Sequence, residues 1–168
     1  MLNHSLEDFS QHLVLGKHLD ITSAGVYKRA MLTGYLSIMV FAICLFYVVF
    51  DAYMGILNAT LYYLTLINFT IISFFLNRSG RYTAAKYLIL LSTLMIVIMF
   101  SISEPRDSGN YFNFFPLIMA SFALFGYDKI YKGVIFSLVS IAAFLIIYNF
   151  DIAILPERDT SAETANVN

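Results

Sequence analysis

Asn77-Arg78-Ser79-Gly80-Arg81-Tyr82 is a short polar stretch between two long runs that contain no Asp, Glu, Lys or Arg. Ile56 to Leu76 precedes it, twenty-one residues, and Tyr87 to Ile102 follows Lys86, sixteen more. A helix needs about 17–25 mainly apolar residues to cross a bilayer, so the first run is long enough and the second becomes so with a few flanking residues. Two such helices joined by so short a loop run antiparallel. Gly80 gives the turn its backbone freedom. Arg78, Arg81 and Lys86 mark it as cytoplasmic, because short loops rich in Lys and Arg stay on that side.

Composition agrees with a membrane reading. The chain is 60% hydrophobic and 12% charged, with a mean hydropathy of +0.75, against roughly 25% charged residues in a soluble domain. The charges cluster at ends and turns, and a formal net charge of −1 gives no footing for nucleic acid. Cys44 is the single cysteine, so no intrachain disulfide forms, and it reads as a small packing residue. With no tryptophan, the interfacial belt falls to the twelve tyrosines.

Residues 1–27 hold Glu7, Asp8, His12, Lys17, His18 and Asp20, which is not the pattern of a cleavable signal. Leu2, Leu6, Phe9 and Leu13 recur at helical spacing and Ser5 precedes Asp8 by three residues. This predicts a short amphipathic helix on the cytoplasmic face, with an irregular tail as the alternative. Lys28 and Arg29 lead into the first span, about residues 31–50. Asp51 to Gly55 reads as a tight outer turn, and the second span covers 56–76. Its Asn58, Thr60, Thr65, Asn68 and Thr70 predict a helix that faces other helices rather than lipid. The third span, 87–102, ends at the polar outer loop Ser103 to Asn110. The fourth, 111–126, contains Pro116, which kinks or ends a helix. That segment either crosses as a short kinked helix, the reading favoured by Lys129 and Lys132 just after it, or is re-entrant. The fifth span is 134–150, and residues 151–168 form a polar outer tail.

The expected fold is therefore an all-α, polytopic membrane protein: five transmembrane helices in an antiparallel bundle over 28–150, with the N-terminus cytoplasmic. Eight of the ten basic residues fall inside in this orientation, leaving only Arg106 and Arg158 outside.

Intramembrane ionisable residues usually mark transport or proton-relay sites, and the five runs contain none. His4, His12 and His18 precede the first span and lack the spacing of a helical zinc site, so no metal and no cofactor are expected. No phosphate loop or nucleophile elbow is present, and no catalytic residue is assigned. The Asn-x-Ser/Thr triplets at Asn3, Asn58, Asn68 and Asn77 fall at cytoplasmic or embedded positions where glycosylation does not reach.

An aromatic concentration remains at the outer mouth: Tyr111, Phe112, Phe114 and Phe115 beside Pro116, with Asn110 and Asn113. It reads either as an interfacial belt or as the wall of a pocket for an apolar or amphipathic ligand. On the pocket reading the candidate binding residues are Arg106, Asn110, Tyr111, Asn113, Phe114 and Phe115. Arg106 would anchor an anionic head group, unless it pairs with Glu104 or Asp107.

Asn77 to Tyr82, then Ala85-Lys86-Tyr87-Leu88, the polar outer loop, Tyr111 to Phe125 with Phe114-Phe115-Pro116, and Asp128-Lys129 together resemble a known region. It is the membrane portion, of about six helices, found before the transmitter domains of bacterial sensor histidine kinases and nucleotide cyclases. The resemblance spans about residues 25–150. The chain carries neither a kinase histidine box nor a nucleotide-binding or cyclase motif, and five spans are one fewer than six. The resemblance implies a sensory or regulatory module of the bacterial inner membrane, working as a homodimer. A sixth span and a cytoplasmic transmitter domain are expected beyond Asn168. A small transporter or channel subunit, or a membrane assembly subunit, is the alternative.

Overall fold

A computed structural model describes residues 11–16, 23–54, 60–103 and 109–150, and every regular element among them is helical. A short helix at 11–15 is followed by α1 (Ala24–Met54), α2 (Thr60–Arg78) and α3 (Tyr82–Ser103). A 3-10 turn (Asn110–Asn113) then opens α4 (Phe114–Phe125), and a second (Tyr127–Lys129) opens α5 (Ile130–Phe150). Four of these, α1, α2, α3 and α5, are long and apolar enough to cross a membrane; the segment Asn110–Phe125 is shorter.

The basic turn is closed by backbone chemistry. Gly80 takes φ +80°, Arg81 N–H donates to Leu76 C=O (3.0 Å) and Gly80 N–H donates to Asn77 C=O (3.1 Å). This is a Schellman cap, which returns two otherwise orphaned carbonyls of α2 to hydrogen bonds and needs glycine at its left-handed position. It also lets α3 start at once, so Lys86 stands in the second turn of α3 and not in a loop.

Helix α3 is central, packing on α1, α2, α4 and α5. It has 44% of its apolar window buried against 22–28% for the other three long helices. The tightest partners are α1 with α2, α2 with α3, and α4 with α5. Small residues make those contacts close. Ser73 Oγ donates to Ala85 C=O (2.9 Å) and lies 3.4 Å from Ser37 Oγ, while Ser121 Oγ lies 3.0 Å from Ser137 Oγ. In lipid, close backbone approach and shared hydroxyl bonds do the work that hydrophobic burial does in water.

Several sequence expectations are corrected. No glycine or proline stands between Phe50 and Gly55, so the helix continues through Asp51, expected in a turn, to Met54. Pro116 does not kink α4: it sits in the first turn, where its missing N–H breaks no helical bond. Thr65 and Asn68 do not face other helices. Both are exposed and bond to carbonyls of their own helix, Leu61 and Leu64 (2.8 and 2.9 Å), which satisfies them without a neighbour. Thr70 is buried as expected but bonds within its own helix, the polar groups of α2 that bond across to other elements are Ser73 and Asn77, and Asn58 lies outside the described residues.

Residues 11–15 form a helix, but the face it buries is not the expected one. Leu13 is exposed, whereas Val14 and Leu15 are fully buried against Tyr27, Ala30, Met31 and Tyr82. Val14 seats where Gly34 has no side chain, and a Cβ there would overlap Val14 Cγ1. Asn77 Nδ2 donates to Val14 C=O (3.3 Å) and Ala30 C=O (3.0 Å), tying the segment to α1 and α2. Leu2, Leu6 and Phe9 lie outside the described residues, as do the outer loop 104–108 and the tail 151–168.

Candidate functional site

The helix ends opposite the basic turn are held apart by aromatic side chains. Tyr47 of α1 stacks on Tyr63 of α2 (5.3 Å between centroids, planes 10° apart), and Tyr63 meets Phe100 of α3 at 5.0 Å. Contacts between α3 and α4 are sparse beside those within α1–α3 and α4–α5. Between them lies a cavity of about 620 Å³, within the roughly 300–1,000 Å³ of small-molecule sites.

Its deep wall is aliphatic, formed by residues such as Leu36, Ile89, Leu90, Val97 and Leu117. Its mouth is polar and aromatic: Tyr47 and Asp51 from the end of α1, Tyr63, Phe100, and Asn110 and Asn113 ahead of α4. Asp51 is only 5% exposed, which places a carboxylate inside the helix bundle. Nothing in an uncharged-run count can detect it, because Asp51 follows the run directly and reads as a turn. The detectable signal is the missing helix stop between Phe50 and Gly55.

Of the candidate binding residues, Asn110 and Asn113 line this cavity together with Pro116. Tyr111, Phe114 and Phe115 turn to α5 instead. Tyr111 meets Phe144 and Tyr148 (6.5 and 5.9 Å), and Phe115 meets Phe144 (6.1 Å). Phe114, 1% exposed, packs edge-on to Phe144 in the main core. Residues one apart on a helical segment point about 100° from each other, so one short stretch serves two surfaces. Arg106 lies outside the described residues.

Among the described residues no three His, Cys, Asp or Glu side chains converge as a metal site. Cys44 lines the cavity and is buried beside Leu66 and Ile96. The architecture thus defines a class: an all-helical protein with four helices suited to a bilayer and an apolar cavity with a polar mouth between them. In comparisons with known proteins, no family model, curated protein or solved structure matches the chain.

Proposed function

We propose that the chain is a membrane-embedded sensory module whose cavity takes a small ligand with an apolar body and a hydrogen-bonding head. The observation that carries this reading is the place of the cavity. It lies on the seam between two well-packed blocks, α1–α3 and α4–α5, so occupancy bears on how the blocks sit against each other. Packed helices shift between discrete arrangements, which suits a signal passed by repacking. The head group meets Asn110, Asn113 and Asp51, and the body meets the aliphatic wall.

In this proposal the basic turn is cytoplasmic, the membrane is a bacterial inner membrane, and α4 with its leading 3-10 turn is a short crossing, the fourth of five. Twelve residues of α4 and four of the 3-10 turn span about 26 Å against about 30 Å of hydrocarbon. A homodimer feeding a cytoplasmic transmitter domain completes the reading. With Cys44 replaced, cysteines at Ser79 and Ser108 should react with an impermeant thiol reagent from opposite sides of the membrane. Labelling from one side only overturns the topology.

The absence of tryptophan supplies the binding test. Phe100→Trp places a single tryptophan, selectively excitable over the tyrosines, at the mouth, to be titrated with amphiphiles sharing one alkyl chain but carrying cationic, neutral or anionic heads. A saturable change with the neutral or cationic probe, weakened by Asp51→Asn, is expected. A response to the anionic probe alone moves head-group recognition to Arg106, and no saturable response with any probe removes the site. The buried Asp51 also favours a second reading, a small transporter, since carboxylates within membrane helices commonly mark a path. Flux of the bound probe in proteoliposomes, without a change in helix packing, selects that reading.

A further inference from the structure

At the opposite end of the bundle, a second cavity of about 440 Å³ has Arg29, Arg81, Lys86 and Lys129 in its lining, with Val26 and Tyr82 beside them. Four cationic side chains therefore come to one hollow from four separate pieces of chain: α1, the basic turn, α3 and the 3-10 turn before α5. Lys86 is 9% exposed, and its Nζ donates to Leu124 C=O at 3.4 Å, a long bond. The charges of Arg29, Lys129 and Lys132 all act repulsively on it. Arg29 packs closely over Gly126, where an added Cβ would lie 2.9 Å from Arg29 Nε.

The backbone adds to the same field. The first intrahelical bond of α3 is Ala85 N–H to Arg81 C=O (3.1 Å), so the amides of Tyr82, Thr83 and Ala84 stand ahead of it, at the positive end of a 22-residue helix. In the sequence, Lys28, Arg29, Arg78, Arg81, Lys86, Lys129 and Lys132 gather around these turns, with Asp128 among them and Glu7, Asp8 and Asp20 ahead of α1.

We infer that this hollow is a binding site for a phosphate-bearing anion. A carboxylate offers two oxygens in one plane, whereas a phosphate offers several in a tetrahedron, matching donors that arrive from several directions. Burying Lys86 beside other cations is costly, and a bound anion offsets that cost while also drawing on the exposed Arg81 and Lys129. Basic hollows between membrane helices suit anionic head groups, and the volume exceeds what a bare phosphate fills. Val26 and Tyr82 provide an apolar wall for the rest of a lipid head group. The chemistry is the same whether the phosphate belongs to a lipid or is free.

The test uses the purified full chain in detergent, with bound lipid counted by native mass spectrometry and stability followed by thermal unfolding. Phosphatidylglycerol and phosphatidylcholine with identical acyl chains are offered together, and inorganic phosphate separately. Preferential retention of phosphatidylglycerol, reduced roughly tenfold by Arg81→Gln and by Lys86→Gln, is expected, since each removes one charge-assisted contact. Lys28→Gln removes an exposed charge outside the hollow and should leave retention unchanged. Phosphatidylglycerol retained with no effect of inorganic phosphate names a lipid as the source. Thermal protection by inorganic phosphate that Arg81→Gln abolishes names a soluble anion. No preference for phosphatidylglycerol together with no phosphate effect overturns the site. So does an equal loss in Lys28→Gln, which would reduce the effect to net charge. Arg81 is exposed, so its variant keeps the test valid should Lys86→Gln fail to fold. Because the readout lies at the other end of the bundle, it is independent of the fluorescence titration at Phe100.

Discussion

At the end that carries the basic turn, Ser37, Ser73 and Ala85 bring the backbones of α1, α2 and α3 together, Gly34 leaves room for Val14, and Asn77 ties residues 11–16 into the gap. At the other end, Tyr47, Tyr63 and Phe100 hold the same three helices around a cavity of about 620 Å³. The α4–α5 pair repeats the pattern. Ser121, Gly133 and Ser137 close it near its turn, while Asn110, Asn113 and Pro116 face the cavity away from it. Small polar residues make a rigid closure because Ser73, Asn77 and Ser121 each donate to a backbone carbonyl across the contact. Large rings make an open mouth because they cannot interdigitate as closely. A ligand entering at the open end therefore meets the part of the bundle with least to break.

The closed end should be the more sensitive to substitution. Asn77→Leu removes the donor to two buried carbonyls and adds bulk at a fully buried position, so unfolding in detergent should be easier by about 3 kcal/mol. A change below about 1 kcal/mol would mean that residues 11–16 are not fastened there. The adjacent pair Ser121 and Ala120 gives a sharper contrast. Ser121 is fully buried against α5, so Ser121→Leu should cost about 2–3 kcal/mol through overpacking. Ala120 borders the cavity, so Ala120→Leu should cost under about 0.5 kcal/mol while weakening probe binding at Phe100→Trp. Equal costs would show that the cavity closes in solution.

Two smaller effects separate contacts between helices from contacts within one. Ser73→Ala loses the bond to Ala85 C=O and should cost about 1 kcal/mol or less. Thr65→Val loses only a bond within its own exposed helix turn and should stay within about 0.5 kcal/mol. If Thr65→Val proves the costlier, α2 presents its other face to the bundle.

The sequence by itself determined the helical class, four of its five expected spans as helices of membrane-spanning length and the glycine-capped turn between α2 and α3, because uncharged run length and glycine placement depend only on local composition. It also grouped the cations on the turns. It did not determine which faces meet. A helix in a bilayer is apolar toward lipid and toward its neighbours alike, so periodicity does not mark the inner side as it does in water. That is why Thr65 and Asn68 read as interhelical while Ser73 and Asn77 hold the helices, and why Tyr111 and Phe114 read as pocket lining beside Asn110 and Asn113. Asp51 and Lys86 were legible as charges at the ends of runs, but only tertiary packing encloses them. One lies at the mouth of the cavity and the other in the basic hollow, because neighbouring helices rather than their own sequence context decide whether water reaches a helix end.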